Sequence, residues 1–422
     1  MAARPTQLDL YLDAQLAGVL HDTSPLAFAY APGWLAQPRP MAVAAIALQP
    51  GLQSGPAVLA FFENLLPEGE LRQYLAQQKK ASTLFSLLLE VAGDTAGAFV
   101  MLPAGQAPAA PRYEPTTWEA LAQRLNAPLA AAMDLASEGA RISLAGAQDK
   151  ASLAIFGDGA PRLPQGTAPS THILKPDIRR LGQVWQSAAN EAIVMRAAAL
   201  CGLPTAEVFY EPVTQSCVVR RFDRTLRADG SLGRLVQYDM CQLVGTVSEH
   251  KYEKEGGPSL AACAELVRRY SSQPALDLRE LLRWVFFNLY VGNNDSHAKN
   301  LSVYYRPEQG VRLTPFYDLM CTRLYPGLSP EFAFAIGGET LPGAIGRAQI
   351  DGMAVALRMQ PAFVRKVAAD MAQVLPGAIA QAAEAMAPLL PRAAHSLSER
   401  LLAFVATTTR KTAARIAGAG GL

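Results

Sequence analysis

The stretch Gly292-Asn293-Asn294-Asp295-Ser296-His297-Ala298-Lys299-Asn300 decides the fold, together with Phe316-Tyr317-Asp318 shortly after it. The first segment follows a nearly all-apolar run, Trp284 to Val291. A helix-end turn of glycine, asparagine and aspartate explains part of this composition. Burying so many polar groups without a ligand is costly, however, and this favours a functional loop.

Asp295 and Asn300 fit the pattern Asp-x-x-x-x-Asn, which is the spacing of a kinase catalytic loop. Phosphoryl transfer needs a carboxylate that orients the acceptor hydroxyl, oxygen ligands for Mg²⁺, and cations on the phosphates. Asp295 is the candidate base, and Asn300 and Asp318 are the candidate metal ligands. Taken without Asp295, Asp318 is an ordinary turn aspartate.

The composition restricts the class of protein in which this chemistry takes place. The chain has 422 residues, 50% of them hydrophobic and 18% charged, with a net charge of +2. Interspersed charges of both signs exclude a broad basic face for nucleic acid. The five cysteines are scattered and suggest neither disulfides nor a zinc site. The apolar runs are too short to cross a bilayer and the N-terminus lacks a signal-peptide pattern, so we expect a cytoplasmic protein without a membrane partner.

Breaks in apolar periodicity predict three blocks: residues 1–110, an N-terminal α+β subdomain; 111–237, a β-rich nucleotide-binding lobe; and 238–422, a helical catalytic lobe. The predicted fold class is α+β, bilobal and protein-kinase-like, with a mixed α/β N-terminal part and an all-helical C-terminal lobe. Predicted strands lie at residues 8–12, 141–144, 151–156, 171–175 and 217–222. Predicted helices lie at 57–66, 68–78, 84–91, 117–125, 188–201, 260–270, 278–291, 360–374 and 397–407.

Lys175 ends a predicted strand, and Glu191 lies in the helix that follows. Kinase folds pair a strand lysine with a helix glutamate to direct the ammonium at the α- and β-phosphates. Lys175 is otherwise a solvated strand end, and Glu191 a first-turn acid favoured by the helix dipole. The paired interpretation predicts that Glu191 is the partner of Lys175.

Two further segments are candidate nucleotide contacts. The turn from Ala145 to Lys150 joins two short predicted strands, and its backbone N–H groups suit a phosphate, although one glycine is equally typical of a plain hairpin. The segment Arg221-Phe222-Asp223-Arg224 suits the edge of an adenine pocket, although strand-to-helix junctions often have this composition.

In order, these segments resemble the HipA-like serine/threonine kinases, which are toxins of bacterial toxin–antitoxin modules. The resemblance runs nearly end to end and rests on residues 61–67, 142–150, 171–175, 221–224, 239–242, 251–253 with 256–258, 295–300 and 313–318. It implies ATP and Mg²⁺ as cofactors and Asp295 as the catalytic residue. The implied ATP-binding residues are Ala145, Gly146, Ala147, Gln148, Asp149, Lys150, Lys175, Arg220, Arg221, Phe222, His297, Ala298, Lys299, Asn300, Tyr317 and Asp318.

The resemblance also implies that Ser143 is autophosphorylated, with ejection of the neighbouring phosphate loop and loss of ATP binding. A strand serine without a regulatory role is the alternative. Two positions depart from the expected pattern. Arg220 stands where we expect a glutamate, which leaves only a backbone contact to the nucleotide. Asp318 is followed by Leu319-Met320 and lacks the glycine of an Asp-Phe-Gly motif, so we expect switching at the Ser143 loop and residues 176–187.

The sequence therefore predicts an ATP- and Mg²⁺-dependent serine/threonine kinase that phosphorylates itself and a host translation component. The resemblance implies that the target is of the aminoacyl-tRNA synthetase type. A second hypothesis is a co-repressor bound to a HipB-like helix-turn-helix antitoxin, with operator DNA contacted mainly through that partner. A third is a small-molecule or lipid kinase on a related fold.

Overall fold

The computed structural model describes residues 4–91, 93–126 and 150–418. By compactness the chain divides into two units. Unit 1 comprises Met1–Leu174 and Arg221–His250, and unit 2 comprises Lys175–Arg220 and Lys251–Leu422. The division into blocks 1–110, 111–237 and 238–422 stays a prediction.

The secondary structure is mixed. The strands are β1 Gln7–Leu12, β2 Gln15–His21, β3 Ala27–Tyr30, β4 Leu52–Ser54, β5 Phe99–Pro103, β6 Arg112–Pro115, β7 Ala151–Ile155, β8 Pro161–Gln165, β9 His172–Lys175, β10 Val208–Glu211, β11 Ser216–Arg220, β12 Arg224–Leu226, β13 Leu232–Arg234, β14 Gln237–Asp239, β15 Ser302–Arg306 and β16 Gly310–Leu313. The helices are α1 Pro32–Leu35, α2 Pro56–Asn64, α3 Gly69–Gln78, α4 Leu84–Val91, α5 Trp118–Asn126, α6 Ser187–Leu200, α7 Met240–Val244, α8 Leu260–Tyr270, α9 Pro274–Val291, α10 Arg347–Ala356, α11 Pro361–Met386 and α12 Arg392–Ala417. Short 3₁₀ turns span Ser248–His250, Glu253–Glu255, Ala298–Asn300, Thr322–Leu324 and Ala387–Leu389.

Unit 1 contains an antiparallel sheet in the order β4-β3-β2-β1-β5. The strand predicted at residues 8–12 is present, and Leu8 and Leu10 are fully buried, but the predicted alternation is incomplete because Asp9 is also buried and Leu12 is only partly buried. A second set of strands runs β9-β7-β8-β6, again antiparallel. The predicted strand at residues 141–144 lies outside the described residues.

Helix α7 of unit 1 has a capping box. The Asp239 carboxylate accepts a hydrogen bond from Gln242 N at 2.7 Å, and the Gln242 side chain accepts one from Asp239 N at 3.0 Å. Both groups satisfy backbone donors that a helix N-terminus leaves open. This accounts for the Asp239-Met240-Cys241-Gln242 segment singled out in the sequence.

Unit 2 is built around α9, whose apolar face supplies the centre of the core. Trp284, Phe286, Phe287 and Tyr290 are fully buried. The helix begins at Pro274, earlier than predicted, because proline is well suited to the first turn. Helices α6, α8, α10, α11 and α12 belong to the same unit, as do the hairpins β10–β11 and β15–β16.

Other features also differ from the sequence expectation, among them helix α12, which spans Arg392–Ala417 rather than residues 397–407. The β15–β16 hairpin lies within the block predicted to be all-helical, because its two short strands lack helical periodicity of their own. Helix α11 passes through Pro376 instead of ending near Val374, and its second half is fixed by buried side chains such as Ile379 and Ala382. Strand β11 ends at Arg220 rather than Phe222.

All five cysteines are buried and free. In the described ranges, none of the helices is both long and apolar enough to span a bilayer.

Candidate active site

The loop that follows α9 is fixed by a tight helix end. Gly292 has φ +78° and its N–H donates to Asn288 O at 3.0 Å, while Asn293 N donates to the same carbonyl at 2.9 Å. A Cβ on Gly292 would lie 2.6 Å from Phe404 Cε1. Glycine is therefore required here by conformation and by space.

Several polar groups of this loop form hydrogen bonds within the protein that fix the conformation of the loop. Asn293 Nδ2 donates to Asn288 Oδ1 at 2.8 Å, and Asn294 Nδ2 donates to Ser329 O at 3.0 Å. Asn294 N donates to Thr322 Oγ1 at 2.8 Å. Within the loop from Gly292 to Asn300, Asp295 is the residue that is exposed. The loop thus presents one carboxylate on a buried, hydrogen-bonded support.

Asp295 is held at its backbone and at its side chain. Its N–H donates to Asn293 Oδ1 at 3.2 Å, and Asn300 Nδ2 donates to Asp295 O at 3.1 Å. The Asp-x-x-x-x-Asn spacing therefore closes the loop on itself. The Tyr252 hydroxyl donates a hydrogen bond to Asp295 Oδ1. Such support is what an acid–base residue needs in order to keep one orientation.

Lys175 lies between two carboxylates. Its Nζ is 2.6 Å from Glu191 Oε1 and 2.7 Å from Asp318 Oδ1. Burial alone would lower the pKa of Lys175, but Asp318 and then Glu191 more than offset this and raise the pKa above its ordinary value. The lysine is thus a permanent cation in contact with both acids that the sequence singled out.

Asp318 adopts an unusual backbone conformation, with φ +59°. Aspartate tolerates this left-handed region better than most residues, and such conformations concentrate at functional sites. The preceding Tyr317 fixes the segment, because its hydroxyl donates to Lys299 O at 2.8 Å and shares a hydrogen bond with Ser302 Oγ at 2.7 Å. Since Lys299 precedes Asn300, these bonds bring the two candidate metal ligands into one neighbourhood.

The donor set there suits a hard cation. Asn300 uses its Nδ2 for the bond to Asp295 O, which leaves the amide oxygen as its ligand atom. Asp318 contributes a carboxylate whose side chain is 41% exposed. Amide and carboxylate oxygens are the ligands that Mg²⁺ prefers, and in the described ranges no cluster of three or more His, Cys, Asp or Glu suggests another metal.

The two arginine side chains of the candidate adenine hinge have carboxylate partners. In unit 2, the Arg220 side chain is exposed and bonded to Glu207 at 2.8 Å. In unit 1, the Arg221 guanidinium is buried against Asp223 at 2.8 Å and Asp94 at 3.3 Å. The Arg221 side chain therefore belongs to a buried ion cluster, and its backbone N–H donates to Thr171 O at 2.8 Å. Phe222 is only partly buried.

That ion cluster is centred on Asp94, which sequence reasoning missed. Asp94 is fully buried and contacts Arg221, Arg224 and Arg234, and it accepts a hydrogen bond from Ser170 Oγ at 2.6 Å. Burial would raise the pKa of Asp94, but the three guanidiniums hold it well below its ordinary value. An isolated acid in the segment Gly93-Asp94-Thr95 gave no sequence signal of such pairing.

The remaining predicted contacts divide by position. His297, Ala298 and Lys299 are buried, and a 3₁₀ turn spans Ala298–Asn300. Lys150 is half-buried. Ser143 and the other phosphate-loop residues, Ala145, Gly146, Ala147, Gln148 and Asp149, lie outside the described residues. Their roles stay predictions.

Comparison with protein families matches residues 8–102 to the HipA N-terminal domain and residues 142–379 to the HipA-like C-terminal domain. The putative kinase Y4mE of Sinorhizobium fredii is 43% identical over 289 residues, covering 66% of this chain and 67% of that protein. The serine/threonine-protein kinase toxin HipA of Shewanella oneidensis is 29% identical over 345 residues, 78% of each chain. Among solved structures, a chain from the complex of HipA, HipB and operator DNA of Shewanella oneidensis superposes with a TM-score of 0.83 and 25% identity, covering 97% of this chain and 98% of that one.

Proposed function

The chain belongs to the HipA family, and from this premise we propose that it is an ATP- and Mg²⁺-dependent serine/threonine protein kinase that acts as the toxin of a toxin–antitoxin module. The observation that supports this most is Lys175, whose ammonium contacts both Glu191 and Asp318. That is the constellation by which kinase folds hold ATP phosphates and a metal-binding aspartate. The exposed carboxylate of Asp295 completes the set.

Each residue has a defined part in the proposed reaction. Asp295 orients the acceptor hydroxyl and accepts its proton as the oxygen attacks the γ-phosphate. Lys175 places a positive charge on the α- and β-phosphates while Glu191 fixes its direction. Mg²⁺, which neutralises phosphate charge when bound, would be held by Asn300 and Asp318. The protein supplies position and electrostatic stabilisation rather than covalent chemistry.

We propose that the acceptor is a serine or threonine hydroxyl of a host translation component in the cytoplasm. We propose Ser143 of the chain itself as a second acceptor. An aminoacyl-tRNA synthetase is the proposed type of target. Phosphorylation of Ser143 would add about two negative charges next to the predicted phosphate loop at residues 145–150. Repulsion between that group and ATP gives a physical route to self-inactivation.

Labelling of a cell lysate from γ-labelled ATP tests the proposal, with phosphosites identified afterwards. We expect Asp295→Asn to reduce labelling by a factor on the order of 10²–10⁴, because a general base is lost. Asp370→Asn is the matched control, since Asp370 is an exposed helix aspartate paired with Lys366. Undiminished labelling by the Asp295→Asn protein would refute the catalytic assignment, and labelling confined to small molecules or lipids would refute the protein substrate.

We also propose that a helix-turn-helix antitoxin of the HipB type binds this chain and carries it to operator DNA. The support is the superposition on HipA from a complex that contains HipB and operator DNA. The near-neutral net charge of +2 predicts weak DNA binding by this chain alone. Operator binding measured with and without the antitoxin tests this, and equal affinity in both cases would contradict it.

A further inference from the structure

The carboxylate of Asp295 has a partner that the proposed reaction has not used. The Tyr252 hydroxyl donates a hydrogen bond to Asp295 Oδ1. In the part of the chain that the structure describes, no hydrogen-bond donor contacts the other oxygen, Oδ2. We propose that Tyr252 is a positioning residue, which fixes one carboxylate oxygen so that the other is left for the acceptor hydroxyl. This rests on the proposed function, because it takes Asp295 as the base.

The backbone around Tyr252 is anchored on both sides. Tyr252 O accepts hydrogen bonds from Glu255 N and Gly257 N, both at 3.0 Å. The preceding carbonyl, Lys251 O, accepts one from Ala298 N at 3.4 Å, which ties it to the same loop as Asp295. On the other side, Glu253 Oε2 accepts a hydrogen bond from Ala335 N at 3.0 Å. Tyr252 therefore lies in a short segment whose backbone is fixed by hydrogen bonds.

The ring is held as well as the backbone. Its edge-on contact with the His297 ring has centroids 5.2 Å apart and an angle of 88° between the planes. The Lys251 ammonium lies over the ring, with Nζ 5.4 Å from the centroid. Two neighbours thus fix the direction of the hydroxyl. One of them, His297, is two residues from the base itself.

These restraints distinguish three possible roles of the hydroxyl. If the Tyr252 hydroxyl inhibited the enzyme by blocking Asp295, it would have to move away before the acceptor binds. If Tyr252 were itself phosphorylated, its hydroxyl oxygen would have to reach the γ-phosphate of ATP. Both roles need movement, whereas the segment from Lys251 to Glu253 is anchored through side chain and backbone. The Tyr252 hydroxyl is the donor in this hydrogen bond and Asp295 Oδ1 is the acceptor. The hydroxyl orients the base and leaves it able to accept a proton, as the third group of a catalytic triad does.

Tyr252→Phe tests this, because it removes the hydroxyl and keeps the ring. Initial rates of label transfer from γ-labelled ATP are measured against proteins of a heat-treated cell lysate over a range of ATP concentrations. We expect a maximal rate about tenfold lower, since a hydrogen bond to a charged group is lost. The ATP concentration at half-maximal rate should stay the same, because Tyr252 has no part in holding the nucleotide. Tyr305→Phe, at an exposed strand tyrosine of the same unit, should change neither value.

A double variant separates positioning from a general structural effect. If Tyr252 acts only through the base, Tyr252→Phe adds no further loss to Asp295→Asn, whereas independent effects multiply. An unchanged or faster rate for Tyr252→Phe would overturn the proposal, as would phosphotyrosine at residue 252, a higher half-saturating ATP concentration, or a further loss in the double variant. Full activity of Asp295→Asn alone is a different outcome, which overturns the proposed function together with this inference.

Discussion

Lys175→Met removes the cation that two carboxylates share. The oxygens of Glu191 and Asp318 both contact Lys175 Nζ, at 2.6 Å and 2.7 Å, so they lie at most about 5 Å apart. Two unit charges at that separation repel by about 3 kcal/mol at an effective dielectric constant near 20. Solvent screens Asp318, whose side chain is 41% exposed, so this term is smaller in the protein.

The larger loss comes from Glu191, which is 2% exposed and whose buried carboxylate loses the Lys175 ammonium as its ion-pair partner. Removing one partner of a buried ion pair typically costs about 3–5 kcal/mol. We therefore expect Lys175→Met to lower the free energy of unfolding by about that amount at neutral pH. Because the pKa of Lys175 is raised in the folded chain, the pair stabilises fully below the ordinary lysine pKa of 10.5, and this contribution is lost as pH rises through the folded-state pKa.

Urea denaturation followed by circular dichroism measures the change. Lys254→Met is the matched control, because Lys254 Nζ also lies 2.6 Å from a carboxylate, Glu331 Oε2, but both side chains are exposed. We expect no measurable destabilisation from the control. The double variant Lys175→Met/Glu191→Leu should recover most of the loss, since it replaces the whole buried ion pair by apolar side chains of similar volume. Equal losses in Lys175→Met and Lys254→Met, or a further loss in the double variant, would refute this reasoning.

Two further predictions concern the support of the site. Asp94→Asn should lower the free energy of unfolding by about 3–5 kcal/mol at neutral pH, because three buried guanidiniums lose their shared acid. The pKa of Asp94 is held below its ordinary value of 3.8, so the stability that the ion cluster contributes is fully present above that pH and is lost as pH falls through the folded-state pKa. The urea midpoints of the wild-type chain and the variant should therefore converge in acid. A difference between the midpoints that widens in acid would contradict the pairing. Gly292→Ala should lower the free energy of unfolding by more than the roughly 1 kcal/mol expected for alanine in a left-handed conformation, because its Cβ would also displace the Phe404 ring. Gly51→Ala is the control in the same denaturation assay, because Gly51 has φ +92° and open space around it, so this variant measures the conformational effect alone.

The local elements were predictable where periodicity and end signals agree. Helix α4 and helix α8 have the predicted bounds, residues 84–91 and 260–270. In α8 the Ser259 hydroxyl accepts a hydrogen bond from Ala262 N at 3.1 Å, so capping and amphipathic pattern coincide. Short strands such as β3 and β4 were missed, because their stability comes from pairing across the chain and not from their own residues.

The same contrast holds in the site. The sequence singled out Asp295, Lys175 and Glu191 because their spacing within one loop or one strand–helix unit matches a chemical requirement, and the predicted Lys175–Glu191 contact is present. Asp94 and Tyr252 were missed as supporting groups, because their partners are far away in sequence. Asp94 meets Arg221 across 127 residues, and Tyr252 meets Asp295 across 43. A single sequence contains no record of which distant side chains will share a hydrogen bond, so the support of a site is harder to predict than its reactive groups.

The discontinuity of unit 2 has a consequence for synthesis of the chain on the ribosome. Residues 175–220 emerge early, but they belong with residues 251–422, and Asp318 reaches Lys175 across 143 residues. A nascent chain that has released only the first 250 residues contains Lys175 and Glu191 and lacks Tyr252, Asp295, Asn300 and Asp318. Unfinished products therefore lack most of the proposed phosphotransfer site. The proposed site therefore predicts that kinase activity arises only after translation has passed the last of these residues.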